Sequence, residues 1–155
     1  MTTTFESLGV AAPLVAALSE RGITEPFAIQ ALTIADALAG RDVCGKAKTG
    51  SGKTLAFGLP TLQGMPKAAP NRPTGIILVP TRELATQVRD ELAPLADAID
   101  RVVAAIYGGD PIEKQIAALD RGVDLIICTP GRAIDLIERK ALSVAAVDHV
   151  VVDEA

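Results

Sequence analysis

The feature that most limits the folds open to this chain is a glycine-rich string between a short β-prone run and a helical pattern. The string is Ala47-Lys48-Thr49-Gly50-Ser51-Gly52-Lys53-Thr54. Glycines at its centre can take positive φ angles and let the backbone approach a ligand closely. The N–H groups of such a loop, and of the helix N-terminus that follows it, point at negative charge. The string therefore predicts a strand–loop–helix unit that cradles phosphate groups.

The residues that end this string add the chemistry of a nucleotide site. Lys53 can reach the β- and γ-phosphates of a nucleotide, and the Thr54 hydroxyl can ligate Mg²⁺. Glycine- and serine-rich turns before helices are common, but Gly-Lys-Thr at this offset between strand and helix favours phosphate binding. We therefore predict that residues 47–54 bind a nucleotide together with Mg²⁺.

A second part of such a site is predicted where the apolar run 150–152 leads into Asp153 and Glu154. An Asp at the carboxyl end of a buried strand can hold Mg²⁺, directly or through water. A neighbouring Glu can orient or deprotonate the attacking water. Strands often end in acidic residues, so this pair gains its significance from the phosphate loop 100 residues earlier. We predict catalytic roles for Lys53, Asp153 and Glu154.

Five short β-rich runs alternate with helical patterns along the chain. The runs are Asp42–Gly45, Gly75–Val79, Arg101–Tyr107, Val123–Cys128 and His149–Asp153. Several are continuously apolar rather than alternating, which suits strands buried on both faces of a mainly parallel sheet. This alternation predicts an α/β fold of three layers, with helices covering the sheet.

Two local patterns predict where helices begin and end. Residues Asp110–Glu113 have the form of a capping box with a proline at the first helical position, so a helix is expected to begin there. Pro94 is expected to end or kink the helix that begins near Thr81, because proline lacks the backbone N–H that a helix interior uses.

Composition indicates a folded, non-membrane, cytoplasmic protein of one domain, residues 1–155. Hydrophobic residues make up 49% of the chain and charged residues 22%, a balance opposite to that of disordered segments. No apolar run approaches the roughly 20 residues that cross a bilayer, and residues 1–9 do not resemble a signal peptide. Cys44 and Cys128 are too few for a disulfide framework, so we expect two small buried residues at strand positions.

The motifs, in order, resemble those of the DEAD-box ATP-dependent RNA helicases over essentially the whole chain. Residues 22–30, Gly-Ile-Thr-Glu-Pro-Phe-Ala-Ile-Gln, are similar to the Q motif of that family, and Phe5 lies 17 residues before Gly22. The resemblance implies that ATP is the nucleotide, that Gln30 reads the edge of the adenine and that Phe5 stacks on it. An amide side chain can both donate to and accept from adenine, so the role suits Gln30.

The chain departs from the family pattern at two positions near the predicted ATP site. Phe27 stands where the family usually has Thr or Ser after the Q-motif proline, so a hydroxyl that could link this motif to the phosphate loop is missing. Lys48 stands where the family often has Gln or Arg. The effect of Phe27 is left open by the sequence.

Three further motifs are similar to the RNA-facing motifs of the family. Each follows a predicted strand, where parallel α/β sheets place their ligands. Residues at helix starts could offer backbone N–H groups, a hydroxyl and a nearby Arg to a phosphate of RNA. The predicted RNA-binding residues are Pro80, Thr81, Arg82, Gly108, Gly109, Thr129, Pro130, Gly131 and Arg132.

The sequence stops one residue short of a complete Asp-Glu-Ala-Asp tetrapeptide, and we interpret it as a fragment. By resemblance it is the N-terminal RecA-like domain, incomplete at its C-terminal side. The family's Ser-Ala-Thr strand and second helicase domain, with its arginine finger, would lie beyond residue 155. We expect this chain alone to be inactive or nearly so as an ATPase and, with a net charge of −4, to bind RNA weakly.

The resemblance also makes a prediction about the sheet. In helicases of this type the Ser-Ala-Thr strand lies between the phosphate-loop strand and the strand that bears the acidic motif. Asp42–Gly45 and His149–Asp153 should then be separated by roughly 9–10 Å, twice the spacing of neighbouring strands, rather than paired.

The leading functional hypothesis is the ATP-binding portion of an ATP-dependent RNA helicase, with Mg²⁺ as cofactor. RNA and a second helicase domain would be its partners, and other protein partners are open. Two alternatives stay open: another P-loop NTPase, such as a small-molecule kinase or a GTPase, and a catalytically silent RNA- or protein-binding module. A GTPase should carry an Asn-Lys-x-Asp guanine reader, and that string does not occur in the sequence.

Overall fold

A computed structural model describes residues 2–48 and 50–154. The chain forms two compact units, Met1–Gly64 and Met65–Ala155, which are described here one at a time. In neither described range is there a helix long and apolar enough to cross a membrane.

The first unit is helical and contains the predicted phosphate loop. Its helices are α1 (Ala12–Glu20), α2 (Ala28–Leu38) and α3 (Lys53–Gly64), and α2 packs against α3. Gln63 near the end of α3 anchors the N-terminal segment, since its Oε1 accepts from the N–H of Ala11 at 2.8 Å and its Nε2 donates to the carbonyl of Gly9 at 2.9 Å. The Gln63 amide thus satisfies the Gly9 carbonyl and the Ala11 N–H, two backbone groups just before α1 begins.

The strand predicted at Asp42–Gly45 is wrong. Residues 41–48, all within the described part of the chain, form neither helix nor strand, and residues 41–46 are exposed. A strand is held by ladder hydrogen bonds to a neighbour, and among the described residues no strand pairs with residues 42–45. Cys44 is therefore exposed rather than buried, whereas Cys128 is buried in a strand as predicted. The expected separation of this strand from His149–Asp153 consequently does not apply.

The second unit is built around a parallel sheet of four strands. The strands are β1 (Gly75–Leu78), β2 (Val103–Ile106), β3 (Leu125–Cys128) and β4 (His149–Val152). Their spatial order is β2-β3-β1-β4, and every described pairing is parallel. Four of the five predicted strands are thereby confirmed, and the α/β class with a parallel sheet is confirmed.

Helices α4 (Arg82–Ala98), α5 (Ile112–Arg121) and α6 (Pro130–Glu138) cover this sheet. Side chains of Ile76 and Ile126 pack in one buried cluster with Leu119 of α5 and Leu136 of α6. Successive strand residues point to opposite faces of a sheet, so Ile77 and its register partner Ile127 belong to the other face. Helix α4 contacts the sheet at strands β2 and β3. Helices thus pack on the sheet at β1, β2 and β3, whereas Val150 and Val152 of the edge strand β4 are exposed, and the strands end along a common edge.

One predicted helix start needs correction, and of the two outcomes predicted for Pro94, ending the helix is excluded. Helix α5 has Pro111 rather than Asp110 as its N-cap residue, so the predicted capping box does not form as proposed. Helix α4 continues through Pro94 to Ala98. A proline inside a helix costs about 3 kcal/mol, but burial of Leu92 and Leu95, both fully buried, contributes roughly 1.5–3 kcal/mol each. Packing on the sheet outweighs the local preference of proline to end the helix.

A buried carboxylate, Asp124, organises the entry to the sheet. It is 3% exposed, its Oδ1 accepts from the N–H of Ala68 at 2.6 Å and its Oδ2 accepts from the N–H of Val102 at 2.7 Å. The Asp124 carbonyl also accepts from Gly75 at the start of β1. One residue therefore satisfies backbone groups in a loop and at two strand entries, a role that the sequence did not indicate.

Candidate functional site

The predicted phosphate loop has glycines with positive φ angles and leads into a helix, as its sequence predicts, although the strand expected before it does not form. Gly50 and Gly52 have φ angles of 85° and 83°, and α3 begins at Lys53. The Gly52 carbonyl accepts from the N–H of Ala56 at 3.2 Å, which makes Gly52 the residue that caps the helix. The chain therefore passes through two left-handed glycines directly into a helix N-terminus, the arrangement expected for an anion site. Thr49, a predicted member of the loop, lies outside the described residues.

Gln30 connects the predicted Q motif to this loop. It is 1% exposed, its Oε1 accepts from the N–H of Phe27 at 2.8 Å, and its Nε2 donates to the carbonyl of Gly52 at 2.9 Å. Phe27 is the N-cap residue of α2, so one side chain bridges the N-termini of α2 and α3. Because both ends of the amide already contact backbone groups, an adenine contact would require Gln30 to exchange or share one of them. Its adenine role stays a prediction.

Gly52 is surrounded closely enough that only glycine fits. A Cβ built on it would lie 2.6 Å from Cδ2 of Phe27 and closer still to Nε2 of Gln30. Two separate constraints therefore act at Gly52: a left-handed φ and close contact with two side chains of the Q motif. The missing Thr or Ser hydroxyl at position 27 is thus replaced by ring packing together with the Gln30 bridge.

A cleft of about 540 Å³ opens beside the loop, within the first unit. Its apolar wall is formed by Phe27, Ala28, Ile29 and Leu32 of α2 and its N-cap. The rest of its lining is formed by loop residues Lys46, Ala47, Lys48, Gly50 and Ser51. This volume lies within the range of small-molecule sites, which combine an apolar lining with a few polar groups. Four of the predicted ATP-binding residues thus line one cleft, namely Ala47, Lys48, Gly50 and Ser51.

Phe5, the predicted stacking residue, lies in the protein interior. Its ring is 1% exposed. An aromatic ring can stack on a base only through an open face, so Phe5 would first have to be uncovered. Its stacking role therefore stays a prediction that this arrangement does not support.

In the second unit, two of the predicted RNA-facing motifs meet at the carboxyl ends of β1 and β2. The guanidinium carbon of Arg82 lies 5.4 Å from the centroid of the Tyr107 ring, a cation–π distance. A Cβ on Gly109, whose φ is 91°, would lie 3.2 Å from Nη1 of Arg82, so glycine leaves room for the guanidinium. Thr81 caps α4 by accepting from the N–H of Leu84 at 3.2 Å. Tyr107 is a member of this group that the sequence did not single out.

Gln115 of α5 joins the third motif to the same loop. It is 4% exposed, its Oε1 accepts from Nη1 of Arg132 at 2.9 Å, and its Nε2 donates to the carbonyl of Tyr107 at 3.0 Å. Arg132 Nη1 also donates to the carbonyl of Asp110 at 2.9 Å. Gln115 was not among the predicted site residues; it lies four positions before the buried Leu119, on the same face of α5, and a buried polar side chain of this kind is normally hydrogen-bonded.

The remaining predicted RNA-facing residues are mostly exposed at the same edge of the sheet. Thr129 is the N-cap residue of α6, and its N–H donates to the carbonyl of Ile106 at 3.1 Å. Four exposed residues follow the strands: Pro80 after β1, Gly108 after β2, and Pro130 and Gly131 after β3. The structure therefore brings the three motifs of this unit to one surface, as the parallel topology predicts.

The acidic pair lies at the end of β4. Asp153 is 7% exposed, and its N–H donates to the carbonyl of Leu78 at 2.9 Å, which extends the pairing of β4 with β1. Glu154 is exposed and has a φ of 61°. Asp153 thus stands at the carboxyl end of a strand, where the sequence predicts a Mg²⁺ ligand.

Comparisons with known proteins agree with this arrangement. Residues 27–155 match the family model described as DEAD/DEAH box helicase. The DEAD-box ATP-dependent RNA helicase 9 of Oryza sativa subsp. japonica is 46% identical over an alignment of 153 residues, which covers 96% of this chain and 24% of the relative. The helicase CshA of Streptococcus pneumoniae serotype 4 is 43% identical over 151 residues, 97% of this chain and 29% of the relative.

A solved structure extends the likeness to the fold. The RNA-helicase Prp28 from Chaetomium thermophilum bound to ADP superimposes with a TM-score of 0.89 at 39% identity, over 99% of this chain and 38% of that one. The α/β fold with its parallel sheet therefore matches a RecA-like helicase domain. The chain spans about a quarter of the length of the two sequence relatives, 24% and 29%.

Proposed function

Because the chain belongs to the DEAD/DEAH box helicase family, we propose that it is the ATP-binding portion of an ATP-dependent RNA helicase. In the whole protein, ATP and RNA would together close this portion on a second helicase domain, and closure would part a short RNA duplex. Hydrolysis would then reopen the clamp. The observation that carries the proposal is the Gln30 bridge to Gly52, which links the Q motif to a phosphate loop beside an open cleft.

The loop and cleft supply what a nucleoside triphosphate needs. Left-handed Gly50 and Gly52 and the N-terminus of α3 suit the phosphates, and Lys53, the first residue of α3, carries the charge for the β- and γ-phosphates. The Thr54 hydroxyl is the proposed Mg²⁺ ligand in this unit. Bound Mg²⁺ would neutralise charge on the phosphate oxygens.

The acidic pair and the motif surface of the second unit have separate proposed roles. The Asp153 carboxylate is a proposed Mg²⁺ ligand, and Glu154 a proposed base that orients or deprotonates water. Arg82 and the loop at Gly108 and Gly109 are proposed to bind phosphates of RNA. The mutual contacts of these motifs support the idea that they act as one surface.

The alternatives from the sequence make different predictions about ligands. Another P-loop NTPase would bind a nucleotide without any response to RNA, and a silent module would bind RNA or protein without a nucleotide. Family membership favours the helicase portion over both. A cytoplasmic location stays a prediction from composition.

Titration calorimetry with Mg²⁺ tests the proposal directly. ATP and GTP are titrated into the chain, each with and without a single-stranded RNA. Tighter binding of ATP than of GTP is the expected result for this chain. A further gain from RNA is expected when the chain is joined to a second helicase domain, since the proposed coupling acts through closure of the two. Preference for GTP, or no nucleotide binding at all, would overturn the assignment.

A further inference from the structure

The chain has three phenylalanines, and they differ in how far their rings are open to a ligand. Phe5 is 1% exposed, whereas Phe27 is 58% exposed. Leu32, which is 74% exposed, lines the same cleft as Phe27, so the two side chains give the cleft an exposed apolar lining. The Phe27 ring is therefore the aromatic surface that a ligand in the cleft would meet first.

Phe27 is held in place from two sides. Its N–H donates to Oε1 of Gln30 at 2.8 Å, which fixes its backbone at the start of α2. Its ring lies against Gly52, since a Cβ on that glycine would come within 2.6 Å of Cδ2. A ring fixed this way loses little freedom on binding, so stacking on it costs little conformational entropy.

The cleft beside Phe27 has the two kinds of wall that a nucleotide requires. Phe27, Ile29 and Leu32 form an apolar side, and Lys46, Lys48 and the backbone at Gly50 form a polar and positively charged side. A flat apolar base suits the first wall, and an anionic phosphate chain suits the second. This charge pattern argues for a nucleotide as the occupant, with its base towards α2.

We propose that Phe27, and not Phe5, is the aromatic platform on which the base of the bound nucleotide stacks. The inference rests on the proposed ATP-binding function and extends it to a residue at which this chain departs from its family pattern. Phe27 then compensates for the missing hydroxyl at this position by a contact with the ligand itself.

Two ligands separate base stacking from phosphate binding. ADP carries both base and phosphates, whereas inorganic tripolyphosphate carries phosphates alone. Loss of one aromatic–base stack weakens binding by about 5- to 150-fold. In the full chain with Mg²⁺, Phe27→Ala and Phe27→Leu are therefore expected to lower ADP affinity by at least fivefold and to leave tripolyphosphate affinity within twofold. Phe27→Tyr should retain the ADP affinity of the unchanged chain.

A spectroscopic variant reports on the same contact. The chain has no tryptophan, so Phe27→Trp introduces a single indole. Stacking predicts that ADP changes its fluorescence and that tripolyphosphate does not. Phe5→Leu, at the buried ring, should leave ADP affinity within about twofold provided that the circular dichroism spectrum is unchanged; if that variant unfolds, the Phe27 series decides alone.

Each outcome has a distinct meaning. ADP affinity that is unchanged in Phe27→Ala would overturn the platform. Equal losses for ADP and tripolyphosphate would also overturn it, because Phe27 would then act on the loop and not on the base. Failure of the unchanged chain to bind either ligand would instead contradict the proposed function.

Discussion

The side chain of Gln30 donates a 2.9 Å hydrogen bond to the carbonyl of Gly52, 22 residues further along the chain. Through this bond the first turn of α2 and the cap of α3 are held together. A nucleotide that drew Gln30 towards its base would therefore act on the same peptide group that caps the phosphate loop. Under the proposed function, base recognition by Gln30 would therefore change a hydrogen bond that the phosphate loop also uses.

Lys53→Ala should weaken ATP binding in the presence of Mg²⁺ by about 10- to 150-fold. Charge-assisted contacts of this kind are worth roughly 1.5–3 kcal/mol, which sets that range. Calorimetry on both forms measures the change, and Lys114→Ala, on the exposed face of α5, is a matched control for loss of a lysine. Unchanged ATP affinity in Lys53→Ala would contradict the proposed contact of Lys53 with the β- and γ-phosphates.

A protein consisting of residues 1–155 should hydrolyse ATP no faster than background, with or without RNA. By resemblance the arginine finger belongs to a second helicase domain, and supplying such an Arg is worth about 10³ to 10⁵ in rate in related phosphoryl transfers. Phosphate release measured with and without single-stranded RNA checks this. RNA-stimulated turnover by these residues would contradict it.

Gly52→Ala should destabilise the chain more than Gly50→Ala. Both glycines have left-handed φ angles, 83° and 85°, so both variants carry backbone strain of about 1–3 kcal/mol. Only at Gly52 would the new methyl overlap Phe27 and Gln30, since a Cβ on Gly50 meets no described atom within 4 Å. Chemical denaturation measures the difference in unfolding free energy between the two variants. Equal losses would mean that the contact with the Q motif does not constrain Gly52.

Gln115→Leu should weaken RNA binding although Gln115 is buried and 4% exposed. The change removes the acceptor for Arg132 and the donor to the Tyr107 carbonyl, and an unsatisfied buried group costs roughly 1–3 kcal/mol. Fluorescence anisotropy with a single-stranded RNA is the measurement, in low salt because the affinity is expected to be weak. Gln87→Leu, at an exposed position of α4, is the control. A Gln115→Leu variant that is folded and binds RNA like the parent would show that the network does not position the motifs.

Thiol labelling at pH 8 should modify Cys44 and spare Cys128. Burial raises the pKa of the Cys128 thiol to about 12, because a thiolate is poorly solvated in the core. Burial of the neutral thiol contributes its full stabilisation below pH 9.0, which is the ordinary pKa of a cysteine thiol. That contribution is lost as the pH rises from 9.0 towards 12. Cys44→Ser should abolish labelling of the native chain, and denaturant should expose Cys128. Rapid native labelling of Cys44→Ser would contradict the burial of Cys128.

The sequence by itself determined the features that depend on neighbours along the chain. The phosphate loop, the four strands of the sheet and the helix starts at Thr81 and Thr129 follow from local composition, glycine and proline positions and short caps. Parallel topology then requires that the motifs after β1, β2 and β3 meet at one edge. Family membership follows from the order of these same motifs.

Tertiary structure alone decided which side chains meet and which rings are open. The run Asp42–Gly45 has the composition of a strand but gains no ladder partner, so it stays irregular. Gln30 and Gln115 are both buried, and each amide donates to a backbone carbonyl that only the fold brings beside it. Phe5 is covered and Phe27 is exposed for a similar reason: burial depends on what packs over a residue, and composition along the chain carries no information about that.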